Sequence, residues 1–193
     1  MLCKKNEIYF KYLINTKLMS TLNINGDNND PFYRYKMPLL ISRQAGRGNG
    51  CFTLIENLAD VSKAINHPPN IVLKYMGSSL GANATESKSS ITGHYSNEEL
   101  IVILYQYINS FIMCPNCNIP ELTPSYEGKK KNKKLILTCG ACGNSVIKTH
   151  SSKDEEKGID LILKYLENNE WTITKGTIVE KQDMFDPFKS NLF

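Results

Sequence analysis

Four cysteines in two matched pairs are the residues whose types and spacing carry the most chemistry. Cys114-Pro-Asn-Cys117 and Cys139-Gly-Ala-Cys142 are both C-x₂-C, with 21 residues between the pairs. Two thiolates two residues apart can grip one ion from a tight turn, and four of them close a tetrahedral structural zinc site. Pro115, Asn116, Gly140, Ala141 and Gly143 supply the small and turn-forming residues that such knuckles need. Four thiolates leave no open coordination position, so the zinc is expected to hold the fold rather than do chemistry. His150, eight residues past Cys142, is then a surface residue and not a ligand. The competing reading, two pairs of buried or redox thiols, leaves the repeated spacing unexplained.

Three other stretches carry groups that could act on a partner. Pro31-Phe-Tyr-Arg-Tyr-Lys-Met-Pro38 interleaves three aromatic residues with two cations, between prolines that favour an extended path. On residue types alone the simpler reading is an ordered tail whose aromatics pack on the next domain and leave Arg34 in solvent. Gly46, Arg47, Gly48, Asn49 and Gly50 form a glycine-rich loop that could cradle a phosphate. The Gly-Lys-Ser/Thr ending of a P-loop is replaced by Cys51, Phe52 and Thr53, and the loop joins strand to strand, so no helix N-terminus faces an anion. A basic hairpin tip that sets Arg47 against RNA or an acidic partner is the better expectation. Lys129, Lys130, Lys131, Lys133 and Lys134 put five lysines in six residues at the tip of the ribbon. They are either a solvated tip or a salt-sensitive contact to RNA phosphate. His67 and His94 fall in a loop and at a strand edge, with no nucleophile to pair with.

The elements that must position these groups follow from periodicity and capping. The chain has 193 residues, 41% hydrophobic and 22% charged, enough for one ordinary domain or two small ones. No run of 18 apolar residues predicts a membrane span. With four cysteines committed to metal and Cys3 and Cys51 no obvious pair, a reducing, cytoplasmic compartment fits. The net charge of +4 is a mild excess and weak evidence for nucleic acid by itself. Glu7, Lys11 and Asn15 interrupt the N-terminal apolar stretch, which therefore does not read as a signal peptide. Met19 offers a second start, so residues 1–18 are expected to be a dispensable extension or a gene-model artefact.

The predicted fold class is α+β: a small mixed domain joined by a helix to a Cys₄ zinc ribbon. Residues 1–30 read as a flexible extension and 31–95 as the α+β domain with its arginine-bearing tail. Strands are predicted over Leu39–Gln44, Cys51–Glu56, Ile71–Met76 and Ser90–Tyr95, a helix over Asn57–Asn66, and a loop over 77–90. Ser96-Asn-Glu-Glu99 is a capping box, and Leu100, Ile103, Leu104, Tyr107, Ile108 and Phe111 follow at helical spacing. This helix, 96–112, is the strut to the ribbon at 113–150. Residues 151–193 should hold a helix capped by Ser152, with Ile159, Ile162, Leu163 and Leu166 on one face, then a strand at 171–179 and an aromatic tail.

Taken in order, Phe32-Tyr-Arg-Tyr-Lys-Met-Pro38, the glycine loop, Asn66-His-Pro-Pro69, Lys74-Tyr75, Gly81-Ala-Asn83 and the four-cysteine ribbon resemble the eukaryotic translation initiation factor five family over about residues 30–150. The resemblance implies a cytoplasmic, monomeric GTPase activator that is not itself an enzyme. Its partner would be the GTPase initiation factor two, carrying GTP and initiator tRNA on the small ribosomal subunit during start-codon selection. GTP would enter only as the partner's nucleotide. The resemblance makes Arg34 an arginine finger and Lys74 a supporting lysine. Where the family has a second lysine, this chain has Phe52, with Arg47 nearby. It also sets Arg47 and the lysine tip against ribosomal RNA. The family continues into a C-terminal helical-repeat domain, for which residues 151–193 are too short. The alternative is a non-catalytic zinc-ribbon module that binds RNA or the ribosome, such as the beta subunit of initiation factor two, which lacks this arginine-bearing segment. The missing Gly-Lys-Thr disfavours an autonomous GTPase. Loss of the metal is expected to unfold the ribbon and leave the α+β part with Arg34 intact.

Overall fold

The computed structural model describes residues 21–25, 27, 30, 32–128, 132–149, 152–169 and 171. Strand β1 (Thr21–Asn23) pairs antiparallel with β2 (Lys36–Pro38), Leu22 opposite Met37. Both of those side chains are buried, as is Ile24. Residues 21–25, read from the sequence as part of a flexible extension, thus contribute to the core. The polar loop between the strands is closed by Asn23, whose amide nitrogen donates to the carbonyls of Asp27 (2.6 Å) and Asp30 (2.8 Å).

Strands β3 (Ser42–Ala45), β4 (Phe52–Ile55), β5 (Ala84–Thr85) and β6 (Ser90–Thr92) form an antiparallel sheet in the order β3-β4-β6-β5. Helices α1 (Leu58–Ala64) and α2 (Pro69–Ser79) lie between β4 and β5. The segment 71–76, predicted as a strand, is a helix. Pro69 opens it at a position where no amide donor is needed. Ile71, Val72, Leu73, Tyr75, Met76 and Gly77 are all buried, leaving Lys74 as the exposed break in the run. A helix enclosed on nearly every side has no amphipathic stripe, and its β-branched residues then mimic a buried strand. Its last turn and β5 also occupy part of the stretch 77–90 that was expected to be loop.

Helix α3 (Asn97–Phe111) begins with the predicted capping box. Ser96 Oγ accepts from the Glu99 amide, and a Glu99 carboxylate oxygen accepts from the Ser96 amide. Such a cap contributes roughly 1 kcal/mol. Leu100, Leu104, Tyr107, Ile108 and Phe111 are fully enclosed, so α3 is a core element and more than a strut. The core continues without a break through Ile112, Met113 and Cys114 into the ribbon, where Leu122, Leu135, Leu137 and Cys139 are buried in the same cluster.

The ribbon is the three-stranded antiparallel sheet β7 (Leu122–Glu127), β8 (Lys134–Cys139) and β9 (Ser145–Ile147). Helix α4 (Lys153–Asn168), capped by Ser152 as predicted, packs on α2 and across β7 and β8. Gly158 permits the approach, because a Cβ there would stand 2.5 Å from Phe111 Cζ. Trp171 lies beyond α4; the strand predicted from 171 and the aromatic tail fall almost wholly outside the described residues. Among the described residues no helix is long and apolar enough to cross a membrane.

Candidate functional site

The two cysteine knuckles repeat one another almost bond for bond. The amide of Asn118 donates to the Cys114 carbonyl (2.9 Å), and that of Gly143 donates to the Cys139 carbonyl (3.0 Å). The Cys114 amide donates to the Ile119 carbonyl (3.0 Å), and the Cys139 amide to the Asn144 carbonyl (2.9 Å). Asn118 (φ 59°) and Gly143 (φ 71°) both take the left-handed conformation, which glycine adopts freely and asparagine tolerates. Asn118 is thus the structural equivalent of Gly143, a match visible in sequence only once the two knuckles are overlaid.

The four sulfurs lie within 4.8 Å of one another. Cys114 and Cys142 are 3.7 Å apart, and Cys117 and Cys139 are 3.6 Å apart. Thiolates about 2.3 Å from one tetrahedral ion stand about 3.8 Å from each other, so the arrangement fits a single metal. Asn144, through its backbone amide, and Asn116, through its side chain, hold Cys142 down to a pKa of about 6, whereas burial raises Cys117 and Cys139, so Cys142 is the readiest of these three to be a thiolate. Asn116 Nδ2 stands 3.7 Å from that sulfur. Cys114 and Cys139 are buried and Cys142 is exposed, so the metal would close the end of the core.

Arg34 sits in the turn that leads into β2, on the surface. Its guanidinium carbon lies 5.7 Å from the centre of the Tyr35 ring, and it makes no ion pair among the described residues. The residues around it are held from both sides. Tyr35 accepts at its carbonyl from the Ile24 amide (3.0 Å), and its hydroxyl donates to Glu121 Oε1 in the ribbon. That bond to the carboxylate, with burial, pushes the Tyr35 phenol up to about 12. Phe32, two residues before Arg34, is 93% exposed. Sequence reading assigns no role to Glu121, which lies 86 residues from Tyr35 and carries no local signal.

The other predicted residues are dispersed. Lys74 stands on α2, and its amine pairs with Glu86 (2.5 Å), with both side chains near half exposed. The glycine loop is a turn in its own right. Gly46 (φ 82°) and Gly48 (φ 58°) are left-handed, and a Cβ on Gly46 would come 2.1 Å from the Gly50 carbonyl oxygen. Closure of the turn accounts for these glycines with no phosphate in the argument. Arg47 is exposed at its tip. Phe52 is half-buried in β4 between Ala45 and Thr92. Lys133 is turned back on the protein, pairing with Glu167 of α4 and lying over the Tyr126 ring (5.1 Å). Lys134 is exposed, while Lys129, Lys130 and Lys131 lie outside the described residues, as does His150.

His67 is a core residue. Its Nδ1 is 2.7 Å from the Tyr107 hydroxyl, and its ring meets Tyr107 and Trp171 edge-on. Burial drives its pKa down to about 3, so it is neutral. His94 Nε2 lies 3.1 Å from the Ala45 carbonyl at the sheet edge.

An α+β domain fused through one core to a four-cysteine ribbon that could hold a metal ion defines the class of protein, and comparison with known proteins narrows it. The family described as the domain found in initiation factors 2B and 5 matches residues 25–145, and the chain belongs to that family. It is similar to the eukaryotic translation initiation factor 5 of Mus musculus, 37% identical over 135 residues, 67% of this chain and 31% of that protein. The Saccharomyces cerevisiae protein of the same name is 39% identical over 127 residues, covering 64% of this chain and 31% of its own length. A probable initiation factor 5 of Schizosaccharomyces pombe is 38% identical over 129 residues, 65% of this chain and 32% of that protein. The chain spans about a third of the length of these curated relatives.

Proposed function

We propose that this chain is a translation initiation factor that activates GTP hydrolysis by the GTPase initiation factor two, with Arg34 delivered in trans as an arginine finger. The observation that carries the reading is the state of Arg34: exposed and without an ion pair among the described residues, on a turn whose neighbours are fixed in the core and on the ribbon. A guanidinium is always charged, and its planar fork can bridge two phosphate oxygens as charge moves to the leaving group. Such fingers supply roughly 10³–10⁵ in rate, about 4–7 kcal/mol of barrier. Family membership and the names of the similar proteins support a role in translation initiation; the small ribosomal subunit with initiator tRNA is the setting that we propose for it.

Zinc is the metal we assign to the four thiolates, as a structural ion. Lys74 is a weaker supporting candidate, because its charge is already shared with Glu86. RNA contact is assigned to Arg47 and Lys134 with the lysines at 129–131. Lys133 contributes less, because Glu167 holds it.

Single-turnover GTP hydrolysis by the tRNA-bound GTPase on small subunits, with this chain and with Arg34→Ala, tests the reading. Stimulation is expected to fall by about 10³ or more with binding nearly intact. Equal stimulation by the variant would remove Arg34 from the mechanism.

A further inference from the structure

We propose that Tyr35 and Glu121 are positioning residues for Arg34, so that the metal-bearing ribbon sets the direction in which the arginine is presented. The inference rests on the reading of Arg34 as the group that enters the partner's site.

Three contacts carry it. The Tyr35 hydroxyl donates to Glu121 Oε1, bridging the β1–β2 turn and the segment between the first knuckle and β7. The Arg34 guanidinium lies against the ring of that same tyrosine, 5.7 Å from its centre, so the ring is the surface on which it rests. Glu121 is itself fixed by the second knuckle. Its carbonyl accepts from the Gly140 amide (2.9 Å), its own amide donates to the Ile119 carbonyl (3.0 Å), and Gly140 leaves just enough room for the carboxylate. A Cβ at Gly140 would lie 3.1 Å from Glu121 Oε2.

The chain of contacts therefore runs from the Cys139–Cys142 knuckle to Glu121, then to the Tyr35 ring, then to Arg34. An arginine on an extended turn would sample many directions, and an ordered platform beneath it removes much of that freedom before the partner arrives. Glu121 and Tyr35 act only through Arg34, and neither is expected to touch nucleotide.

The test measures the maximal rate and the half-saturating concentration in single-turnover hydrolysis, together with amide hydrogen exchange over residues 32–38. Tyr35→Phe keeps the ring and loses the bond, Glu121→Ala loses the acceptor, and Glu121→Gln keeps a carbonyl that can still accept. We expect Tyr35→Phe and Glu121→Ala to lower the maximal rate about 10- to 100-fold, with half-saturation unchanged within about twofold. Glu121→Gln should recover most of the rate. Exchange over 32–38 should quicken while α3 exchanges as before. Arg34→Ala/Tyr35→Phe should be no slower than Arg34→Ala alone.

Wild-type rates for Tyr35→Phe and Glu121→Ala, beside an inactive Arg34→Ala, would overturn the positioning role and leave Arg34 standing. A raised half-saturation with an unchanged rate would also overturn it, making Tyr35 a docking contact. Full activity of Arg34→Ala would overturn both readings. Unchanged exchange over 32–38 in Tyr35→Phe would count against the platform whatever the rates.

Discussion

Two surface turns of this protein each present one arginine, and only one of them is anchored by groups far away in the sequence. The turn at Arg47 is made locally: left-handed glycines close it, and the side chain projects from a hairpin whose shape five consecutive residues dictate. The turn at Arg34 has no described glycine. It starts on a local turn at Asp30, which accepts from the Phe32 amide at its carboxylate (2.9 Å) and from the Tyr33 amide at its carbonyl (3.4 Å), and it is then tied down by distant groups, an amide at Ile24 and a carboxylate at Glu121. A locally built turn presents a charge wherever the hairpin points, which suffices for a salt-screened contact with phosphate. An arginine that must meet shifting charge at a fixed place gains from anchors in the rigid body.

The largest test of this contrast is removal of the metal. Structural zinc contributes about 10–16 kcal/mol in small domains, comparable to the roughly 5–15 kcal/mol of a whole folded domain. On sequence alone, the α+β part and Arg34 are expected to survive that loss. The continuous core through Phe111, Ile112, Cys114 and Leu122, and the Tyr35–Glu121 bond, argue for a wider release. Cys139→Ser, or a chelator, should release the Arg34 turn along with the ribbon. The Gly46–Gly50 turn, lying in the four-stranded sheet, should be released less. Hydrogen exchange compared at residues 32–38 and 46–50 decides the matter. Equal protection of the Arg34 turn with and without metal would break the contrast.

A smaller effect comes from the local turn. Gly46→Ala forces a side chain into φ 82° and sets a Cβ 2.1 Å from the Gly50 carbonyl oxygen. The conformation costs about 1–2 kcal/mol, and because the clash is with backbone the turn must also shift, so the total loss is larger. Gly48→Ala meets no atom within 4 Å and should lose only the conformational part. Urea midpoints measure both. The maximal rate of stimulated hydrolysis should stay within about twofold of wild type, because Arg34 does not depend on this turn, while half-saturation rises as Arg47 is displaced. A large loss of maximal rate in Gly46→Ala would mean that the two turns are coupled.

What can be read from the sequence divides along the same line. Features fixed within a few residues are legible: the paired knuckles, the Ser96–Glu99 capping box, the Ser152 cap and the glycine turn. Features fixed at a distance are not. Helix α2 reads as a strand because burial on nearly all sides erases its stripe. Thr21–Asn23 reads as flexible because its neighbours are polar, although Leu22 and Ile24 enter the core and Asn23 satisfies the loop carbonyls. Arg34 is legible only through resemblance, and its support at Glu121 lies 86 residues from Tyr35. Lys133 looks like one lysine among five until α4 brings Glu167 to it.

The smallest effect is a proton's. His67 lies at the turn between α1 and α2, bonded to Tyr107 of α3, and α1 packs against β2, the strand that carries the Arg34 turn. Tyr107, Tyr165 and Trp171 surround it, with Lys63 the cation nearby. In the folded protein its pKa is depressed to about 3, against about 6.5 in the unfolded chain. Between those values the unfolded state binds the extra proton, so this contribution is complete above about pH 6.5 and shrinks as pH falls toward 3. The loss should be about 1 kcal/mol between about pH 7.5 and 6, steepening to about 1.4 kcal/mol per pH unit below that. His67→Gln, whose amide can still bond Tyr107, should flatten the urea midpoint over about pH 7.5 to 5.5. Because α1 lies under β2, acid should lower the exchange protection factors, each rate being taken against the intrinsic amide rate at the same pH, at residues 32–38 before residues 46–50, and His67→Gln should remove that difference. A wild-type midpoint as flat as the variant's would mean that His67 reaches water in the folded state, and the core beneath the Arg34 turn would then be looser than its packing implies.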